Sequence, residues 1–220
     1  YKFKIQEGSN LFELKKLIQS SNLNFDCPKF SCLDPGLAFH EGTLMPDTYF
    51  YKHNSPVSTI LLHSQAAFID YSQSIWKLKT SLNPLKTLDD AIILASIVEK
   101  EAGNDDEKSI IAGVFLNRLN LKMRLQADPT IIYGLLPNFN GNITKKNLKD
   151  PSNKYNTYQI SGLPPTPISI VSKSSLEAVI LGEPNEYLYF VARGDGTHYF
   201  SRNYAEHLQA VRKYQLNKAL

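Results

Sequence analysis

The stretch from Thr87 to Asn120 constrains this chain more than any other, because it reads as two capped helices with a single break between them. Thr87 followed three residues later by Asp90 has the form of a capping box, with Asp where Glu or Gln is usual, and Gly103 provides a stop. The pattern predicts a helix from Leu88 to Ala102. Asn104 as N-cap, with Glu107 at the box position, opens a second helix at once; it runs to about Asn120 on Ile110, Ile111, Val114, Phe115 and Leu119.

On a helical wheel of about 100° per residue, Ala91, Leu94, Ile97 and Val98 fall within about 80° of Glu101, whereas Glu99 lies about 160° away. Glu101 therefore projects from the apolar stripe, and Glu99 reads as an exposed helix glutamate. A carboxyl held against apolar neighbours is desolvated, which raises its pKa, and the negative end of the helix macrodipole pushes the same way. Such an acid stays protonated near neutrality and can serve as the general acid of a glycosidase. The other reading of Glu101 is a solvated carboxylate at a frayed helix end.

The flanking segments mix strands and helices. Tyr1 to Ile5 alternates as a half-buried strand does, and Ser9 or Asn10 caps a helix to about Ser20 on Leu11, Leu14, Leu17 and Ile18. A loop with Cys27, Pro28, Cys32 and Pro35 comes next, then strand and turn over Leu37 to Tyr51, and a helix from Ser58 to about Leu78. Six prolines between Pro129 and Pro167 break up the chain from Gln126 to Ile168, and long ordered loops tend to be functional. A short helix over Ser174 to Leu181 precedes a hairpin, Tyr187 to Ala192 with His198 to Ser201 around Arg193-Gly194-Asp195-Gly196. Asn203 to about Asn217 closes the chain as a helix. The class is α+β: a small β-α unit, then a mixed domain with a helical core, a C-terminal β-hairpin and a last helix.

Composition removes several function classes. With 220 residues, 42% hydrophobic and 20% charged, the chain can build a core and is not of the disordered type. A net charge of +3, from 24 Lys+Arg against 21 Asp+Glu, is too small to argue for nucleic-acid binding. Cys27 and Cys32 form no CxxC pair, His198 and His207 show no metal-ligand spacing, and no Gly-rich phosphate loop, nucleophile elbow or HExxH occurs. Neither a metal nor a cofactor is expected. No apolar run approaches the roughly 18 residues that span a bilayer.

Other polar residues are placed for binding. Asn117 lies about 20° from Ile110 on the second helix, so its amide faces the buried side, toward substrate hydroxyls or the adjoining loop. Gln126, Asp128 and Thr130 alternate and project together, although Asp-Pro also initiates turns.

Several blocks then combine into a recognisable order. Ala95-Ser-Ile-Val-Glu-Lys-Glu101-Ala, Val114-Phe-Leu-Asn-Arg-Leu119, Arg124-Leu-Gln-Ala-Asp-Pro-Thr-Ile-Ile-Tyr-Gly134, Tyr155-Asn-Thr-Tyr158 and Gly162-Leu-Pro-Pro165 closely resemble the YceG-like (MltG) family of endolytic murein transglycosylases. Upstream, Glu41-Gly-Thr-Leu-Met-Pro-Asp-Thr-Tyr-Phe-Tyr51 is similar to the family's EGxxxPDTY segment, and Tyr187-Leu-Tyr-Phe-Val191 with His198-Tyr-Phe200 is similar to its closing hairpin. The resemblance covers roughly residues 37 to 214.

The resemblance implies a lytic transglycosylase that cuts the MurNAc–GlcNAc β-1,4 bond within glycan strands and leaves 1,6-anhydro-MurNAc ends. It implies Glu101 as the catalytic residue, in agreement with the wheel. It also implies a LysM-like N-terminal unit over 1–38, a catalytic domain over 39–220, and peptidoglycan synthases as partners. The expected location is the cell inner membrane, facing the periplasm, by way of an anchor preceding Tyr1. A periplasmic setting would permit a disulfide between Cys27 and Cys32, with two free thiols the alternative. Asn117, Gln126, Asp128, Thr130, Tyr155, Asn156, Tyr158 and His198 are the expected sugar-groove residues. A single acid suffices for this chemistry, whereas ordinary glycosidases need two carboxylates. A hydrolytic muramidase and a non-catalytic peptidoglycan-binding module are the competing readings.

Overall fold

The computed structural model describes residues 1–27, 40–139 and 141–216. Pro28, Cys32, Pro35 and the boundary expected at residue 38 lie outside the described residues, as does Asn217 at the expected end of the last helix.

Alternation in the first residues places Phe3 and Ile5 on the buried face of β1 (Lys2–Ile5). Asn10 and Glu13 close a reciprocal capping box that starts α1 (Leu11–Gln19), whose buried face is Leu11, Leu14 and Ile18; Leu17, expected among them, is exposed. β2 (Asp47–Phe50) pairs antiparallel with β1, Lys2 opposite Phe50 and Ile5 opposite Asp47. Both strands and α1 pack on Val57, Ile60 and Leu61 of α2 (Val57–Trp76) in one core. Backbone bonds from Gly8 N–H to Ile170 O (2.8 Å) and from Ile170 N–H to Ser9 O (2.7 Å) tie this core to a distant part of the chain.

β1 and β2, which lie on either side of the expected division at 38/39, share a ladder and a core. A two-stranded sheet this small is not stable alone, and α1 and α2 cover its one buried face, that of Phe3 and Ile5.

The larger core is built around α3 (Leu88–Glu101), whose start is the capping box of Thr87 and Asp90. Ala91, Leu94, Ala95, Ser96, Ile97 and Val98 are all 0% exposed. The helix is thus buried over most of its circumference, with Asp89 and Lys100 exposed along one edge. Each large aliphatic side chain so buried contributes about 1.5–3 kcal/mol. A 3₁₀ turn (Asp105–Glu107), capped by Asn104, leads into α4 (Lys108–Asn120), which adds Ile111, Ala112, Phe115 and Leu116 to the same core.

Two short helices, α5 (Asp128–Gly134) and α6 (Lys145–Leu148), sit in the proline-rich stretch. Then α7 (Lys173–Ile180) packs Leu176, Val179 and Ile180 against α3 and α4. Buried Asn83 donates to the carbonyls of Val179, Ile180 and Gly182, closing the C-terminal end of α7. The chain ends in the hairpin β3 (Tyr189–Ala192) with β4 (His198–Ser201), then α8 (Tyr204–Val211) and a wider turn over Arg212–Leu216. No helix among the described residues is long and apolar enough to cross a membrane.

Glu99 is corrected from exposed to buried. Its side chain is 7% exposed, and it accepts from Ser172 N–H, Ser172 Oγ–H and Ser175 Oγ–H at the start of α7, with Lys108 Nζ 3.5 Å away. A carboxylate at a helix N-terminus meets free N–H groups and the positive end of the dipole, which offsets its desolvation.

Candidate active site

The C-terminal end of α3 opens into a cleft of about 510 Å³, and Glu101, its last residue, stands in the wall. The hairpin is brought over this point by close packing at the α3–α4 junction. A Cβ on Gly103 would lie 2.4 Å from Gly196 O, so only glycine admits the β3–β4 turn there. Asn104 Nδ2 donates to the same carbonyl (3.3 Å). Glu107, expected to complete a capping box, turns instead to His198: its Oε1 accepts from His198 N–H (2.8 Å) and its Oε2 lies 2.8 Å from Nδ1. The helix junction therefore sets the position of β4 relative to Glu101.

Burial, and after it the charge of Asp128, pushes the Glu101 carboxyl up to about 8, with Arg118 opposing. Among the described residues neither carboxyl oxygen makes a hydrogen bond or ion pair, which leaves the group free to give and take a proton. The cause differs in part from the expected one. Desolvation is the first cause, as the wheel implies, and the neighbouring Asp128 supplies the next contribution.

Asp128, at the start of α5, accepts from Tyr158 O–H at 2.7 Å. The pair is held by a staple below it. Ala127 N–H donates to Thr157 Oγ1 (2.9 Å), Thr130 Oγ1 donates to Ala127 O (2.6 Å), and the two threonine hydroxyls lie 2.9 Å apart with no exposure. Gln126, which lines the cleft, is in the left-handed region at φ 52° and donates its N–H to Thr157 O. A non-glycine residue held there is strained, and such strain clusters where a site needs a particular backbone shape.

Arg118 of α4 lies behind, 6% exposed, donating to Leu188 O (2.7 Å) and Leu125 O (2.8 Å) while its guanidinium sits 5.2 Å from the Tyr189 ring centroid. It joins the loop carrying Gln126 to the strand carrying Tyr189. Two aromatic residues complete this wall, Tyr189 stacked on His207 at 5.1 Å and Tyr204 beyond it.

The sequence of residues 1–213 matches the YceG-like family, and that span covers nearly the whole chain. The chain belongs to the YceG-like family. Two relatives bear the name endolytic murein transglycosylase: one from Bacillus subtilis strain 168, 34% identical over 185 residues, and one from Streptococcus pneumoniae R6, 31% identical over 186. Each match takes in 81% of this chain but only 49% and 33% of those proteins, so the chain spans half or less of their length. A 2.6 Å crystal structure of a putative YceG-like protein from Listeria monocytogenes superposes with a TM-score of 0.76 at 32% identity, covering 94% of this chain and 75% of that one.

Of the residues named from the sequence, Glu101, Gln126, Asp128, Tyr158 and His198 line this one cleft. Four other expected groove residues do not line it. Asn117 donates to the carbonyls of Asn185 and Tyr187 and pins the segment before β3. Thr130 is spent in the threonine staple. Asn156 is fully buried and donates to the carbonyls of Asn147, Leu148 and Asp150. Tyr155 pairs its hydroxyl with Thr166 Oγ1 at 2.8 Å and stacks edge-on to Tyr133, away from Glu101. In each case the polar group answers a backbone or hydroxyl partner that folding would otherwise leave unpaired.

Arg118, Tyr189, Tyr204 and His207 line the cleft, and nothing in the sequence pattern marks them as groove residues. Arg118 sits within the Val114–Leu119 block, and Tyr189 within the hairpin block, so the motifs contain them without showing their use. Among the described residues no group of three or more His, Cys, Asp or Glu is placed to hold a metal ion.

Proposed function

We propose that this chain is a lytic transglycosylase of peptidoglycan, with Glu101 acting first as acid and then as base. The observation that carries the reading is the Glu101 carboxyl itself: unpaired, desolvated and pushed to about 8 inside a cleft walled by aromatic and amide side chains. The names of the relatives supply the substrate class, peptidoglycan.

Protonated Glu101 gives its proton to the glycosidic oxygen as the bond to C1 of MurNAc breaks and positive charge develops at that carbon. Asp128, oriented by the Tyr158 hydroxyl, lines the same cleft and positions the strand beside Glu101. The C6 hydroxyl of the same sugar then closes on C1, and its proton passes to the Glu101 carboxylate, which restores the acid. No water and no protein nucleophile enters, and the product end is 1,6-anhydro-MurNAc. Tyr204 offers a ring face, and Gln126 an amide, to the strand. On this reading the chain works on the cell wall, cutting within strands beside the synthases that extend them.

Asp128 also supports a second reading, because two carboxylates in one cleft are the equipment of a hydrolytic muramidase. Mass spectrometry of muropeptides released from isolated sacculi separates the two. Anhydro ends support the transglycosylase, and hydrated reducing ends alone overturn it in favour of hydrolysis. A Glu101→Gln chain that still cuts would overturn both.

A further inference from the structure

Glu101 is the last residue of α3, Ala102 after it is already extended (φ −73°, ψ 126°), and among the described residues neither carboxyl oxygen of Glu101 is bonded. The place of the acid is therefore set by the backbone of the last helical turn alone. Helices ordinarily fray there, because their final carbonyls lack intrahelical partners. A reacting group misplaced by about 1 Å costs about 10²-fold in rate, so a frayed end would be a poor mount for an acid.

On the other side of that turn, about 160° around the helix from Glu101, lies a cluster of buried charge that the reaction does not use. Glu99 Oε2 accepts from Ser172 N–H (3.0 Å), Ser172 Oγ–H and Ser175 Oγ–H (2.6 Å), all at the start of α7. Lys108, 6% exposed at the start of α4, places its Nζ 3.5 Å from Glu99 Oε1 and 2.6 Å from Asp105 Oδ1, and donates to Ser172 Oγ (3.0 Å) and Ser174 Oγ (2.9 Å). Three helices thus meet on one carboxyl two residues before the acid. A buried ion pair is often no more stabilising than apolar residues of the same volume. Its bonds are directional, however, and they fix where the last turn of α3 stands relative to α4 and α7.

We propose that Glu99 and Lys108 are positioning residues, which clamp the last turn of α3 to the starts of α4 and α7 and so hold the Glu101 carboxyl at its place in the cleft wall. Neither residue lines that cleft, so both act through the backbone and not on the strand. That Glu101 is the acid rests on the function proposed above; that the clamp sets its surroundings does not. The charged and titratable groups that act on Glu101 are Asp128 of α5 and Arg118 of α4, with Tyr158 beside them, and neither clamp residue is among them. A change in the titration of Glu101 when the clamp is altered therefore reports movement of the carboxyl, not loss of a neighbouring charge.

The test is the side-chain carboxyl ¹³C titration of Glu101 in the full 220-residue chain, wild type against Glu99→Gln, beside kcat and KM for glycan cleavage. As the loosened turn admits water, the titration is expected to move down from about 8 by about one unit. The expected kinetic change is a fall in kcat of about 10- to 100-fold at unchanged KM. Ser175→Ala removes one bond to Glu99 without leaving a charge unpaired; it is expected to act in the same direction by less, and it serves should Glu99→Gln fail to fold. Asn83→Ala frees the opposite end of α7 and is expected to lower stability with the titration in place. A Glu101 titration unmoved in the clamp variants overturns the proposal, as does an equal shift in Asn83→Ala. A shifted titration with unchanged cleavage overturns Glu101 as the acid and leaves the clamp standing.

Discussion

Tyr158 donates a 2.7 Å hydrogen bond to Asp128, and the charge so held is, after burial, the main influence that keeps the neighbouring Glu101 protonated. Burial raises the Glu101 carboxyl first, and the neighbouring Asp128 raises it further.

Replacing Asp128 by Asn removes that charge and lowers the Glu101 pKa. A general acid works only while protonated, so the alkaline limb of the kcat/KM profile is expected to move to lower pH. A profile unchanged in position would show that Asp128 does not tune Glu101.

Glu101→Gln is expected to reduce glycan cleavage by about 10²–10⁴-fold, the usual worth of a general acid. It is also expected to stabilise the fold at alkaline pH. The carboxyl ionises near 4.5 in the unfolded chain and near 8 in the folded one, so the unfolded state holds fewer protons between those values and wild-type stability falls as pH rises through that window. The neutral amide has no such loss. At about 1.4 kcal/mol per unit, discounted for solvent in the cleft, the variant gains about 2 kcal/mol at pH 8 and little at pH 4, as denaturant midpoints at the two pH values will show.

Gly103→Ala puts a methyl 2.4 Å from Gly196 O. The expected cost is about 1–3 kcal/mol in thermal or urea unfolding, with a further loss of kcat as the hairpin moves off Glu101. Retention of full activity would show that the α3–α4 junction does not set the cleft.

Asn156→Ala leaves the carbonyls of Asn147, Leu148 and Asp150 without their donor. It is expected to destabilise by about 1–3 kcal/mol while leaving the KM for glycan unchanged in whatever fraction folds, the opposite of a sugar-contacting residue.

The helix starts are legible in the sequence because their causes are local. Thr87 and Asp90 cap α3 through bonds spanning three residues, as do Asn10 and Glu13 for α1, and the hairpin lies around a short glycine turn. Residues whose partners are remote in sequence are not legible in this way. Glu99 is buried by serines 73 and 76 positions away, Asn117 is consumed by carbonyls 68 and 70 positions away, and Glu107 leaves its own helix cap for His198, 91 positions on.

By itself, then, the sequence determined the helices of the core, the closing hairpin and the family, since capping and periodicity act within a turn or two of chain. Only the tertiary structure decided which polar side chains face the cleft and which hold the backbone together. A buried hydroxyl, amide or carboxylate takes whatever partner packing brings within about 3 Å, and that partner is set by how distant segments meet. The same packing joined β1 to β2 across the expected boundary and set Asp128 beside Glu101.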